Sequence, residues 1–291
     1  MTTLAMTAVI VSALFHASYN MLIKTSDEKT VFMGSIFLVA VISGWLVGLF
    51  WVPGFLDFDS RVLLIAALSA VFFTSYLLAA ARAYAADDGD LSLSYPMTTL
   101  APVFIPLWAY LILDDRLTIL MIAGILVTTT GTFCIQLKPG IGRRFKSIGL
   151  KSEAVRFALL ASFLYSFGGI SDKVGVNQGG FYFFTVCLMT LNFTYFSLVI
   201  LSNKHLRTRT LHCFKKYPVR VFAGGALVYL SNITFRFALS TTDVSYAAGV
   251  RQVATLFAVL MGVFLLKEPY GLLRFFASLV IALGIALIKI G

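Results

Sequence analysis

Ten stretches of about 20 consecutive apolar residues dominate this chain, and they constrain its fold more than any other feature. They run over 3–23, 32–52, 62–85, 91–113, 117–137, 154–172, 180–201, 218–240, 244–266 and 270–289. Crossing about 30 Å of hydrocarbon takes about 20 residues as a helix. Inside lipid every backbone N–H and C=O must be bonded within the segment, so continuous apolar runs of this length are expected as helices. The alternating pattern of a membrane β-barrel is absent. Short polar clusters separate the runs, such as Thr25-Ser26-Asp27-Glu28-Lys29, Asp87-Asp88-Gly89-Asp90 and Asp114-Asp115-Arg116. Only 12% of residues are charged, against about 25% in soluble domains. Little is left for a separate water-soluble domain, which excludes a cytosolic enzyme, a secreted disulfide scaffold and a disordered regulator. The first run lacks a basic leader and is too long for a cleaved signal peptide. The expectation is an all-α membrane protein with ten transmembrane helices.

The formal net charge of +10 is not spread like a nucleic-acid footprint. Residues 138–156 carry Lys138, Arg143, Arg144, Lys146, Lys151 and Arg156 against Glu153 alone. Residues 202–220 carry Lys204, Arg207, Arg209, Lys215, Lys216 and Arg220 with no acid. Charge packed into two connections between apolar runs is an orientation signal, and no nucleic-acid partner is expected. Connections after odd-numbered spans hold 15 Lys/Arg and the opposite set four. That bias places both basic loops in the cytoplasm and both termini outside. Cys134, Cys187 and Cys213 lie far apart, without metal-ligand spacing, and read as small hydrophobes. No phosphate-cradling Gly-x-x-x-x-Gly-Lys segment, nucleophile elbow or His-Glu-x-x-His pair is present. No cofactor, metal or catalytic residue is expected, and the chain is not read as an enzyme.

The chain also repeats itself. An offset of 149 sets His16-Ala-Ser-Tyr-Asn-Met-Leu-Ile-Lys24 beside Tyr165-Ser-Phe-Gly-Gly-Ile-Ser-Asp-Lys173. An offset of 153 sets Ala101, Phe104 and Asp115 beside Ala254, Phe257 and Glu268, and Arg82 falls one residue from the counterpart of Arg236. Five spans per half is an odd number, so the second half enters the membrane from the other side. Two inverted five-helix repeats result, an arrangement common in secondary transporters. The segments Ala79–Gln136 and Phe235–Ile288 share one order: a small-residue helix, a polar break, an apolar helix, an acidic residue, then a Gly-containing helix. On these features the chain resembles the EamA-type domain of the drug/metabolite transporter superfamily. Two copies span 1–137 and 154–291, joined by a basic linker at 138–153. The opening Phe15-His16-Ala17-Ser18-Tyr19-Asn20 with Lys24 is similar to a subgroup associated with phosphonate utilisation. The resemblance implies ten helices, a central cavity, alternating access for a small metabolite, and cytoplasmic termini, which conflicts with the charge bias.

Ionisable side chains inside spans are costly and therefore functional candidates. His16, Asn20 and Lys24 recur every four residues on one helical face; His16 also suits a packing role, and Lys24 can snorkel. Arg82 and Arg236 lie near helix ends in the two halves. Arg251 lies about two turns into its span, beside Tyr246 and Gln252, and must meet Asp172, Asp243, carbonyls, water or a substrate anion. Lys24, Arg82, Lys173, Arg236 and Arg251 stand against one embedded acid, Asp172, which favours an anionic or zwitterionic ligand. Pro96, Pro102 and Pro106 kink the fourth run; Tyr95 and Tyr165 are the preferred aromatic contacts. The resulting expectation is a secondary transporter of an amino acid, carboxylate or organophosphorus compound. Arg251, Arg82 and Arg236 would hold the anionic group, His16, Asn20 and Tyr165 would orient the remainder, and Lys24 and Lys173 would attract ligand from either side; Tyr95 and Gln252 are further substrate-binding candidates. If transport is proton-coupled, His16 or Asp172 would carry the proton; the scarcity of embedded carboxylates fits exchange or facilitated movement equally. Its partners are a small-molecule substrate and the lipid bilayer of the cell (inner) membrane, and a homodimer is compatible. A lipid-linked phosphate flippase is the alternative; an intramembrane enzyme or sensor fits less well.

Overall fold

A computed structural model describes residues 2–86, 97–136, 152–202, 204–265, 267 and 271–291. It is all-helical, and no strand occurs among the described residues. The helices are α1 (Thr3–Lys24), α2 (Lys29–Trp51), α3 (Arg61–Ala85), α4 (Ala101–Leu113), α5 (Ile119–Gln136), α6 (Glu153–Gly179), α7 (Phe181–Ser202), α8 (Lys204–Lys216), α9 (Pro218–Thr241), α10 (Val244–Arg251), α11 (Val253–Phe264) and α12 (Gly271–Ile290). Among the described residues six segments are long and apolar enough to cross a membrane: α1, α2, α3, α6, α9 and the α10–α11 pair. Shorter apolar helical stretches occupy 101–113, 119–134, 181–195 and 276–290. The described parts of the apolar runs are helical apart from their ends and interruptions at Leu100 and Gln252, as bonded backbone groups in oil require.

Two departures from the sequence reading matter. The basic stretch between the seventh and eighth runs, expected as a loop, folds into the 13-residue helix α8. Its apolar residues Cys213 and Phe214 dock on the core while its charges stay outside, so the two-faced arrangement outweighs its largely polar composition. The ninth run is not one unbroken helix, because Gln252 separates α10 from α11.

The chain divides into two compact units, and each combines segments from both sequence halves. One, here the charged unit, comprises residues 2–70 and 172–241; the other, the glycine unit, comprises 71–171 and 242–291. In the charged unit α1 packs along α9, with Ala5, Val9, Ser12, Ala13 and Ala17 buried. Ser12 Oγ donates to the Ser231 carbonyl at 2.7 Å, and Ser231 Oγ donates back to the Ser12 carbonyl at 3.0 Å. Such reciprocal bonds satisfy hydroxyls that lipid would leave unpaired. Val31, Phe32, Ile36, Met189, Val221 and Val228 fill the adjoining core.

In the glycine unit α5 and α12 approach until backbones touch. A Cβ placed on Gly124 would lie 2.7 Å from the Gly284 carbonyl and from the Ile288 nitrogen. One on Gly284 would lie 2.6 Å from the Thr128 nitrogen. Only hydrogen side chains permit this contact, which replaces the hydrophobic drive that lipid removes between helices. The same unit holds an aromatic layer in which Trp108 meets Phe163 and stacks on Phe167, with its Nε1 donating to Ser166 Oγ at 3.1 Å.

Candidate functional site

Within the charged unit one ionic cluster is fully enclosed. Asp172 on α6 and Arg236 on α9 meet at 2.7 Å, with side chains 4% and 6% exposed. The second Asp172 oxygen accepts from Ser69 Oγ at 2.6 Å. Arg236 Nη1 donates to Asn232 Oδ1, one turn earlier on its own helix, at 2.8 Å. Asn232 Nδ2 donates to the Val228 carbonyl at 2.9 Å, and the guanidinium lies over the Phe184 ring. Burying two charges is tolerable only when attraction is supplemented by hydrogen bonds of this kind. The sequence reading offered Asp172 as one partner for Arg251; in the fold that carboxylate goes to Arg236. Next door, Lys173 Nζ donates to the Leu239 carbonyl at 2.6 Å. Ser69 and Asn232 went unremarked as polar partners in the sequence, although Asn232 stands four residues before Arg236 and shares its face.

The stripe on α1 is partly self-contained. His16 Nδ1 and the Tyr19 hydroxyl share a 2.7 Å hydrogen bond, the rings meeting edge to face. Asn20 Nδ2 donates to the His16 carbonyl and is exposed. Lys24 is exposed in the last turn. His16 is therefore oriented by Tyr19, a residue the fourfold spacing did not pick out.

Among the candidates in the glycine unit, Arg82 Nε meets Glu153 Oε1 at 3.0 Å, with side chains 66% and 40% exposed. Tyr165 is half-buried between the edges of Phe73 and Tyr76. Tyr95, Pro96 and most of the 138–153 linker lie outside the described residues. Arg251 is half-buried at the end of α10, and Gln252 is the residue at the break, with its amide nitrogen enclosed.

That break has a counterpart. Gln252 N–H donates to Gly249 O at 3.2 Å and Thr255 N–H to Gln252 O at 3.0 Å. Leu100 N–H donates to Met97 O at 3.3 Å and Val103 N–H to Leu100 O at 2.9 Å. The two tight turns are 152 residues apart and bond identically, three residues back and three residues on. Neither Leu100 nor Gln252 caps the helix it starts with a side-chain bond. A second pair follows downstream, where Asp114 (φ 55°) and Lys267 (φ 53°) hold left-handed backbone, a conformation non-glycine residues seldom adopt. Within the same unit α10 packs on α4, and Asp115 accepts from Ser245 Oγ at 2.9 Å at the start of α10.

Several helices long and apolar enough to cross a membrane define a multi-pass membrane protein. Residues 153–290 match the EamA-like transporter family. The first copy expected from the sequence lies outside the matched residues. No curated protein matches the chain. Among solved structures 29 chains match. One crystal structure superposes with a TM-score of 0.66 at 14% identity, covering 99% of this chain and 97% of that one. At that identity the likeness concerns the fold alone.

Proposed function

We propose that the protein is a secondary transporter of the cell membrane, built as ten crossing helices in two inverted five-helix repeats. It moves a small anionic or zwitterionic metabolite, such as an amino acid, a carboxylate or an organophosphorus compound, by alternating access. The observation that carries this reading is the pair of equivalent helix interruptions at Leu100 and Gln252, one of them beside Arg251. Interrupted spans at corresponding positions of two repeats mark substrate sites in transporters, because helix starts there present their positive dipole ends. The recurrence of left-handed backbone at Asp114 and Lys267 supports the repeat. In this reading Arg251 binds the anionic group, and Gln252 supplies a buried amide for a polar atom of the same ligand. Arg236, whose charge is answered by Asp172, holds the bundle rather than the ligand. Tyr165, His16, Asn20, Lys24 and Lys173 are secondary contacts.

The test is uptake into proteoliposomes of a panel of radiolabelled amino acids, carboxylates, phosphonates and hydrophobic cations. An anionic or zwitterionic compound should accumulate, with Arg251→Gln lowering initial rates at least about tenfold, as loss of a charged hydrogen-bonding partner implies, and Arg251→Lys restoring part of them. Transport of hydrophobic cations alone, or full activity in Arg251→Gln, overturns the reading.

A further inference from the structure

At one end of the charged unit the chain builds a basic recess that the transport reading leaves unused. Helix α8 brings Lys204, Arg207, Arg209, Lys215 and Lys216, and Arg220 follows in the first turn of α9, with no acid from 202 to 220. Cys213 and Phe214 fasten α8 to the core beside Val31 and Phe32, leaving Lys204, Arg209, His212, Lys215 and Lys216 exposed. Between α8, the start of α9 and the α1–α2 turn lies a cavity of about 490 Å³, lined by Thr208, Arg209, His212, Lys216, Tyr217 and Arg220 among others.

Its internal charges do not cancel. Glu28 pairs with Arg209, and Asp27 receives the Tyr217 hydroxyl at 2.9 Å and Lys216 Nζ at 3.6 Å, so both acids are occupied. The Tyr217 hydrogen bond and then the Lys216 ammonium hold the Asp27 carboxyl below its ordinary value. Arg220 Nη2 gives its hydrogen bonds to the carbonyl and hydroxyl of Thr25, which are neutral. Arg220 therefore brings a surplus charge to the recess, and the exposed Lys215, next to the lining residue Lys216 on α8, adds another.

We propose that this recess binds the phosphate headgroup of an anionic phospholipid. Arg220 takes the phosphate, and Lys215, Lys216 and His212 flank it. The floor favours a lipid over a soluble anion. Val31 and Phe32 lie at its base, and Val219 and Phe222, 79% and 58% exposed, offer a greasy strip along the first turns of α9 for an acyl chain. A basic cluster at the end of a span beside such a strip matches the negative surface of a cytoplasmic leaflet, the side to which the Lys/Arg bias assigns this loop.

Native mass spectrometry of the full-length protein in detergent, with phosphatidylglycerol and phosphatidylcholine offered at equal concentration, tests this. Phosphatidylglycerol should be retained preferentially. Lys215→Gln and Arg220→Gln should each weaken its retention about fivefold, leaving phosphatidylcholine unaffected. Should a variant fail to fold, the wild type at high salt serves instead, and its preference should fall as screening grows. Equal retention of the two lipids, an undiminished preference in both variants or at high salt, or displacement of phosphatidylglycerol by millimolar inorganic phosphate overturns the proposal. Because lipid retention is read without substrate, its failure leaves the transport experiment standing, and the reverse.

Discussion

Arg82 and Arg236 occupy nearly equivalent places in the two halves of the sequence, yet their surroundings are opposite. Arg236 is sealed with Asp172, Ser69 and Asn232, whereas Arg82 reaches an exposed glutamate at the start of α6. Helix contacts differ in parallel. The charged unit joins α1 to α9 through exchanged serine hydrogen bonds, and the glycine unit joins α5 to α12 through bare backbone. In lipid, where burying apolar surface against another helix gains little, one fold uses two substitutes for the hydrophobic effect: polar bonding in one unit and close van der Waals contact in the other. Similar places in the sequence thus do not fix what each helix pair is held by.

Removing the carboxylate at the enclosed cluster should have the largest effect. Asp172→Asn leaves the Arg236 guanidinium enclosed without its counterion, and the cost for such a deletion is about 3–5 kcal/mol. Thermal unfolding in detergent should show it as a large drop in Tm, or as loss of folded protein. The double change Asp172→Leu with Arg236→Met removes both charges and should recover most of the loss. If the single change is mild, the pair is not sealed from water, and the contrast with Arg82 collapses.

Next in size is the glycine seam. Gly284→Val would force a side chain into the Thr128 backbone, where flexible atoms cannot yield, and overpacking of this kind costs about 1–3 kcal/mol or more. Unfolding measured beside Gly54→Ala distinguishes seam contact from backbone freedom. Gly54 has left-handed backbone and only the Asp57 side chain nearby, so its substitution strains the turn without touching a helix contact.

How much of this was legible in the sequence depends on the range of each interaction. The helices were legible because hydrocarbon dictates them, and a run such as 62–85 returns as Arg61–Ala85 within a residue. The class of protein followed from the same runs, and the EamA resemblance is shown for residues 153–290. Helix α8 was missed since its apolar residues are too few to form a run and show only as one face of a short helix. The break at Gln252 was equally hidden, because no proline or glycine stands at it. Asp172 was visible as an embedded acid, but which arginine it meets depends on helix packing far apart in sequence. Spacing on a single helix predicts a shared face, and it found His16 and Asn20 without revealing that Tyr19 orients the imidazole.

A smaller effect separates the two ways of joining helices. Each hydroxyl in the Ser12–Ser231 exchange bonds a carbonyl already used by its own helix. A double-mutant cycle with Ser12→Ala and Ser231→Ala should give a coupling of about 0.6 kcal/mol, the average for interhelical hydrogen bonds in membranes. Coupling near zero would mean that the small volume of serine, rather than its hydroxyl, is what α1 and α9 require, and the two units would then be held alike.

The smallest effect is expected at Arg82. Its guanidinium and Glu153 both face solvent, where attraction is weak and holding two long side chains in place costs entropy. Arg82→Gln should lower stability by at most about 0.5 kcal/mol, and added salt should shrink even that difference, since exposed charges are screened. The same substitution type at Arg236 should cost several times more and respond little to salt. The two arginines hold similar places in the two sequence halves, so a difference in both magnitude and salt response isolates burial as the cause. Equal, salt-insensitive losses would mean that Arg82 is enclosed when the protein sits in its bilayer, and that the two arginines hold the bundle in the same way.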